Sequence, residues 1–420
     1  MNIAVIGSGG REHSICLKLS QSPNIKKIFC IPGNTGTKKI ATNININILD
    51  FKKISIFLKQ NNTNTVFVGP EVPLVNGIKN YLEKKNIFVF GPSQKASQLE
   101  NSKSFTKKIC QKYKIPTAKY RFFKSMAGVK KYIEKMSTPI VIKADGLASG
   151  KGVSICNSKI RAIKICKEIS EGKFKSSKNF IIEEFLTGEE ASYFIISDGK
   201  DYKFFGSAQD HKRIGEGETG LNTGGMGAYS PSYLMNSILE KKIKKKIIEP
   251  TLLALKKMHS PFTGILYAGL IIKNNDPKLI EYNIRLGDPE SQVLMMRLKT
   301  DLVKIIQFCK NKKLKNLNIN WDNKKAITIV AASKGYPNNN AKISEIKDLH
   351  KIRLRKNCNI FHAGTIDRDS KIFSTGGRAL NVTCLNNSLK QARNNCLNIL
   401  KKINWKDKYY RKDIGWRVIN

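Results

Sequence analysis

Through its first hundred residues the chain alternates short apolar runs with helical periodicity, and that rhythm leaves few folds open to it. The runs at 2–6, 27–31, 65–68 and 87–90 have strand length, and the stretches at 12–20 and 74–84 carry the helical repeat. Strand and helix in alternation predict a parallel, doubly wound sheet with sites at the carboxyl ends of its strands.

Beyond it, a helix is expected at 103–114, ended by Ile115-Pro116-Thr117, a break suited to a lobe boundary. Strands at 140–143 and 153–156 flank a small-residue loop at 144–152, and further strands fall at 181–185, 191–197, 264–272 and 279–283. The polar, glycine-rich stretch at 210–229 reads as a long loop, functional or disordered. A third region begins near Trp321, with a strand at 326–332 and a glycine turn at 375–377. At 420 residues, two or three domains are expected.

The formal charge is +43, from 75 Lys and Arg against 32 Asp and Glu. A nucleic-acid partner would need that charge clustered and interleaved with stacking aromatics. Here lysine is spread along the whole chain together with excess Ile and Asn, as in Asn43-Ile44-Asn45-Ile46, which reads as coding drift. No nucleic-acid role is expected, although anionic substrates should be attracted in a salt-dependent way. The nine cysteines form no CxxC pair or Cys/His cluster and read as reduced, mostly buried thiols. The N-terminus lacks the regions of a signal peptide and no apolar run has membrane length, so a cytoplasmic, membrane-free protein is expected.

Seven segments carry chemistry. Gly7-Ser8-Gly9-Gly10 follows the first strand and opens a helix, which makes either a tight turn or a site for one phosphate. Glu12 stands where a dinucleotide fingerprint needs glycine, so a nicotinamide cofactor is disfavoured. Lys143 closes an apolar strand ahead of Ala144-Asp145-Gly146-Leu147-Ala148-Ser149-Gly150-Lys151-Gly152. Its ammonium suits nucleotide phosphates, and the small residues let backbone N–H groups wrap a γ-phosphate. A plain hairpin with a surface lysine is the alternative. In Ile181-Ile182-Glu183-Glu184-Phe185-Leu186, a strand end can present backbone to adenine while Glu190 reaches ribose hydroxyls.

Glu281 and Asn283, two apart on a strand, point the same way with oxygen ligands suited to Mg²⁺ bridging nucleotide phosphates. Arg285-Leu286-Gly287-Asp288-Pro289-Glu290 follows as a charged turn able to hold an anionic intermediate. Asp210-His211-Lys212-Arg213 bunches three potential cations near a carboxylate or acyl phosphate, and Asn222-Thr223-Gly224-Gly225 is rich in donors. Electrophile formation by phosphorylation needs mainly charge neutralisation, so a general-base role for His211 is disfavoured.

Together these segments resemble the ATP-grasp superfamily, and within it the phosphoribosylamine–glycine ligases. The resemblance is carried by VIGSGGREH, PGNTGT, VGPEVPLVNGI, VIKADGLASGKGV, IEEFLTGEEAS, AQDHKR, NTGGMGAYSP, IEYNIRLGDPESQ, HAGT, TGGRALNVT and RKDIGWR, in order along essentially the whole chain. It departs at Asn283-Ile284-Arg285-Leu286, which lacks a cysteine and an aromatic, and between Ala331 and Leu354.

The resemblance implies an N-terminal substrate-binding α/β domain at 1–102 and a central ATP-grasp domain of two lobes at 103–315, with a mobile lobe at about 118–190. A C-terminal α+β domain at 320–420 completes the chain, and no further fused domain is expected beyond Asn420. The implied reaction joins glycine to 5-phosphoribosylamine through glycyl phosphate, with ATP as substrate and Mg²⁺ or Mn²⁺ as cofactor, in a protein expected to be monomeric. By resemblance, Lys103 and Lys143 contact phosphate with the loop residues Gly146, Ser149, Gly150 and Gly152. Glu183, Phe185 and Glu190 contact adenine and ribose, and Glu281 and Asn283 hold the metal. Asp210, His211, Lys212, Arg213 and Arg285 surround the reacting carboxyl, while Gly9, Gly10, Gly225 and Arg378 meet phosphoribosylamine. The alternative is another ATP-grasp carboxylate–amine ligase or a carboxylase.

Overall fold

The computed structural model describes residues 1–147, 152–174, 177–338 and 342–419. Ser149 and Gly150 therefore lie outside the described residues. Five parallel strands form the first sheet, in the order Thr42–Asn43, Lys27–Pro32, Asn2–Gly7, Thr65–Val68, Phe88–Phe90. The strand order reverses beside Asn2–Gly7, so the turn at Gly7–Gly10 opens at the crevice where such sheets take ligands.

The expected helix at 74–84 is two short ones, Glu71–Val75 and Ile78–Glu83. Gly77 between them has φ 87°, a left-handed conformation that stops helical propagation. The sequence reading passed over the helix Phe51–Gln60, whose N-cap Asp50 accepts the Lys53 N–H.

A four-stranded antiparallel sheet, Tyr120–Phe123, Phe180–Glu184, Ile140–Ala144 and Val153–Cys156, forms a separate lobe with its own apolar core around Phe123, Ile142, Cys166 and Phe180. The largest sheet is antiparallel throughout. It runs from Asp276–Asn283 through Thr263–Lys273, Glu189–Asp198, Tyr202–Asp210 and Gly227–Ser230 into Lys325–Ser333, Arg378–Asn386 and Cys358–His362. The short strand Gly227–Ser230 is thus the bridge that carries the central sheet into the C-terminal region.

Two expectations are corrected. The stretch 210–229 is not one long loop: Arg213–Gly215 and Thr219–Asn222 pair as a hairpin before Gly227–Ser230 joins the large sheet. Glu216, the Gly217 N–H and Glu218 take partners from residues 411–413, which local composition does not reveal. The cysteines are not all thiols either. The register of Cys358–His362 against Arg378–Asn386 sets Cys358 opposite Cys384, and the two form a disulfide, while the other seven are buried and free. Among the described residues no helix is long and apolar enough to cross a membrane.

Candidate active site

A cavity of about 840 Å³ opens where the four-stranded lobe faces the large sheet, and most of the expected residues line it. Its construction begins at a helix start. Ser102 caps the helix Lys103–Lys112 by accepting the Phe105 N–H at 3.1 Å. Asp145 accepts from the Ser104 hydroxyl at 2.7 Å and from its N–H at 3.2 Å, tying the loop after strand Ile140–Ala144 to that helix. Lys103 is thereby held against the loop, its ammonium donating to the Gly146 carbonyl at 3.0 Å.

Strand alternation turns Glu183 inward and leaves Glu184 to accept the Lys119 N–H. The Glu183 carboxylate takes Lys143 at 2.9 Å on one oxygen and Lys107 at 3.1 Å on the other, all three side chains being buried. Burial alone would raise the Glu183 pKa, but Lys143 and Lys107 hold it below the usual carboxylate range. Glu183 therefore reaches a nucleotide only as part of an ion triad. Lys107 was missed from sequence, although it stands one helical turn beyond Lys103 and so shares its face.

On strand Asp276–Asn283, Glu281 and Asn283 stand half-buried on the cavity wall, and the Tyr282 hydroxyl packs away against Thr251 at 2.6 Å. Burial would raise the Glu281 pKa, yet Lys212, Lys143, Lys103 and Arg285 together hold it below the ordinary value. Among the described residues no group of three or more Asp, Glu, His or Cys forms a self-sufficient metal cage. An ionised carboxylate, an amide oxygen and nearby lysines fit Mg²⁺ that arrives with phosphate oxygens as its other ligands.

Across the cavity, Lys212 pairs with Glu190 at 2.9 Å. Burial and the neighbouring Glu290, Glu190 and Glu281 push Asp210 up to about 8, against the pull of Lys212. Arg285 is anchored rather than free. It meets Glu100 at 2.6 Å and Glu71 at 3.2 Å and donates to the Leu286 carbonyl, leaving two of its five N–H groups for a ligand. Glu71 falls within the VGPEVPLVNGI segment with no role assigned to it, and Glu100 lies just outside the expected helix at 103–114.

His211 lies in the wall with neither ring nitrogen offered to substrate: Nε2 accepts the Gly415 N–H at 3.0 Å, and Nδ1 is enclosed. Phe185 lines the cavity near the loop, and Arg213 lines it beside the hairpin.

A second cavity of about 590 Å³ lies at the carboxyl end of Asn2–Gly7 and shares Asp288 and Arg378 with the first. Gly9 lines it. Gly10 and Gly225 line neither cavity. A side chain at Gly10 would collide with Asn381 and Gln292, and Gly225 has φ 109° and packs on Pro289, so both glycines serve close packing. Gly152 likewise stays out of the wall; its carbonyl accepts the Ala144 N–H at 2.9 Å and closes the strand pair. Arg378 bridges the two cavities by donating to the carbonyls of Gly224 at 2.6 Å and of Asp288.

The buried titratable groups set a pH dependence. Burial above all drives His13 and His211 down to about 3 and His362 to about 4, so all three fold neutral. Burial raises Glu100 to about 7 and Asp210 to about 8, so both fold protonated in mildly acid solution. Below about pH 6 unfolding takes up more histidine protons than the two carboxyl protons it releases, and the carboxylates Glu71, Glu183, Glu281 and Asp288, held below their ordinary values, add to that uptake at the acid end. Stability should therefore fall with acidification from about pH 6 to 4.5. From about pH 7 to 8 the folded state loses its extra carboxyl protons, and stability should fall as pH rises. Urea unfolding of the ligand-free protein across pH 4.5–8.5 checks this; a plateau through the whole range would remove the assignment.

Three family models match in succession: the phosphoribosylglycinamide synthetase N domain over residues 1–100, its ATP-grasp (A) domain over 101–291 and its C domain over 326–417. A phosphoribosylamine–glycine ligase of Brucella melitensis is 44% identical over 420 residues, covering 100% of this chain and 98% of that protein. The crystal structure of a phosphoribosylamine–glycine ligase from Thermotoga maritima superposes with a TM-score of 0.86 at 30% identity, covering 99% of this chain and 100% of the other. A Campylobacter jejuni biotin carboxylase, solved as a complex with β-γ-ATP, shares the fold alone: TM-score 0.73, 16% identity, 99% of this chain and 94% of that one. With its parallel N-terminal sheet, its two-lobed antiparallel centre and matches across nearly its whole length, the chain belongs to the phosphoribosylglycinamide synthetase family.

Proposed function

We propose that this chain ligates glycine to 5-phosphoribosylamine at the expense of ATP, giving glycinamide ribonucleotide, ADP and phosphate, a step of de novo purine biosynthesis. The observation that carries the reading is the pair of joined cavities. One has phosphate-binding lysines facing an oxygen pair, and the other sits at the switch point of the parallel sheet, with Arg378 and Asp288 between them. A nucleotide and a phosphorylated amine can then meet at a shared wall.

In the first step a glycine carboxylate oxygen attacks the γ-phosphorus, the bond to the ADP oxygen breaks, and glycyl phosphate forms. The amine nitrogen of phosphoribosylamine then attacks the carbonyl carbon, phosphate leaves, and the nitrogen sheds a proton. Lys103 and Lys143 neutralise the phosphates, while Phe185 and Glu190 border adenine and ribose. Lys212, Arg213 and Arg285 neutralise the carboxylate and acyl phosphate beside Asp210. Gly9 and Arg378 face the amine substrate. Mg²⁺ held by Glu281 and Asn283, or Mn²⁺ on the same hard oxygens, would supply charge neutralisation at the transferring phosphoryl group. The same reading takes 1–102, 103–315 and 320–420 as the working units of a cytoplasmic monomer.

Phosphate release should require glycine and freshly made phosphoribosylamine together, in the presence of ATP and Mg²⁺. Full turnover with bicarbonate or glutamine in place of glycine would sink the assignment.

A further inference from the structure

The last residues of the chain lie along the hairpin Arg213–Gly215/Thr219–Asn222 and are fastened to it at successive points. Arg411, with 0% of its surface exposed, donates through Nε and Nη2 to the two oxygens of Asp413, each at 2.8 Å. Its Nη2 also reaches Glu218 at 2.8 Å, and its Nη1 donates to the Arg213 carbonyl at 3.0 Å. Asp413 in turn accepts the Gly217 N–H at 2.8 Å, and the Lys412 N–H donates to Glu216 at 2.9 Å. The Tyr409 hydroxyl donates to the Ile214 carbonyl at 2.8 Å. At the inner end the Gly415 N–H donates to Nε2 of His211.

This hairpin cannot hold itself. A two-stranded ribbon is marginal in water without a packed face, and none of the residues 213–222 is buried. Yet Arg213, Glu218 and Asn222 from it line the active cavity. Its place over the cavity comes from outside, from partly buried Ile214 against the C-terminal core and, most strongly, from the fully buried guanidinium with its two carboxylate partners.

The geometry points to the strap 411–415 as a positioning element of the active site, with Arg411 and Asp413 fixing the hairpin and His211 serving as its inner post. His211 accepts from Gly415 and does not act on substrate. Burial, Arg411 and Arg417 keep the ring neutral, with Asp413 opposing them, which agrees with an acceptor at Nε2. The role rests on the ligase reading above for its kinetic consequence and on the hydrogen bonds alone for its structural one.

The test uses the full chain. In Arg411→Lys, which keeps the charge but loses the fork, kcat/KM for glycine should fall about tenfold or more while ATP affinity stays within about twofold. Asp413→Asn should behave alike. Gln carries an acceptor near the Nε2 position and Asn does not, so His211→Gln should exceed His211→Asn in kcat by about tenfold, with the pH profile unshifted in both. Equal losses in ATP affinity and glycine kcat/KM would reduce the strap to general structure. A better His211→Asn than His211→Gln, or an inflection lost from the pH profile, would overturn the post. Amide exchange of residues 211–224 in the ligand-free protein should rise in Arg411→Lys and stay unchanged elsewhere. That holds even if no glycine-dependent turnover is found, and unaltered exchange would overturn the proposal by itself.

Discussion

Replacing Glu281 with Gln should lower turnover by about a hundredfold or more, on the order of 3 kcal/mol, as for loss of a comparable electrostatic group. The side chain keeps its shape and its place on the strand, so what is removed is one negative charge. In the ligand-free cavity that charge is held ionised by Lys212, Lys143, Lys103 and Arg285 against the cost of burial. Without it the wall becomes more cationic, which favours bare nucleotide but deprives Mg²⁺ of its only carboxylate in the pair Glu281/Asn283. The deficit should therefore appear as a raised Mg²⁺ requirement and a lower kcat, with little loss of affinity for metal-free ATP. Asn283→Ala should be milder, since a neutral amide oxygen attracts a hard cation less than a carboxylate does. Asn283→Ala should unfold at nearly the wild-type urea midpoint, whereas Glu281→Gln should unfold below it at neutral pH, because the cations that hold Glu281 ionised lose that carboxylate. Near-normal turnover with unchanged Mg²⁺ dependence in Glu281→Gln would shift the metal assignment to Asp288 or Glu290.

That strand was legible because the information is local. Two oxygen side chains separated by one residue on an apolar run can face only one way, and the structure places both in the cavity. The parallel sheet was legible for the same reason: each strand announces itself within a few residues, and strand–helix alternation restricts the order. The strap, the hairpin and the Cys358–Cys384 pair were not legible, since each joins residues whose partnership is set by sheet register or by chain ends meeting in space. Arg411 and Glu218 are 193 residues apart. Arg285 marks the boundary between the two cases. Its presence in the site followed from the charged turn after the metal strand. Its commitment to Glu71 and Glu100 did not, because those carboxylates arrive from helices of another sheet. Gly10 and Gly225 mark a limit of another kind, since close packing against Asn381, Gln292 and Pro289 accounts for both glycines without any ligand.

Glu183 carries the second large expected effect, on stability before catalysis. Its two oxygens separate the ammonium groups of Lys143 and Lys107 in a setting where each side chain is at most 5% exposed. Glu183→Gln preserves volume and leaves both lysines without a carboxylate, and removing one partner of a buried ion pair costs about 3–5 kcal/mol. The remaining contacts are neutral and weaker: Lys107 to the Thr117 hydroxyl at 2.7 Å and Lys143 to the Ile280 carbonyl at 3.3 Å. Burial already holds the Lys107 pKa below the ordinary lysine value despite Glu183, and loss of the carboxylate lowers it further. A lysine with a depressed folded pKa destabilises most where the unfolded lysine is charged. The stability gap between wild type and variant should therefore be widest at neutral pH and narrow as pH rises toward about 10. Nucleotide affinity should drop with it, because Lys143 loses the carboxylate that holds its ammonium at the cavity wall. Urea unfolding at pH 7 and pH 10, with ATP titration at pH 7, reads both effects. Coincident unfolding curves at pH 7 would mean that the triad contributes nothing to holding the four-stranded lobe, and a gap that stayed constant with pH would mean that the cost lies in packing and not in unpaired charge.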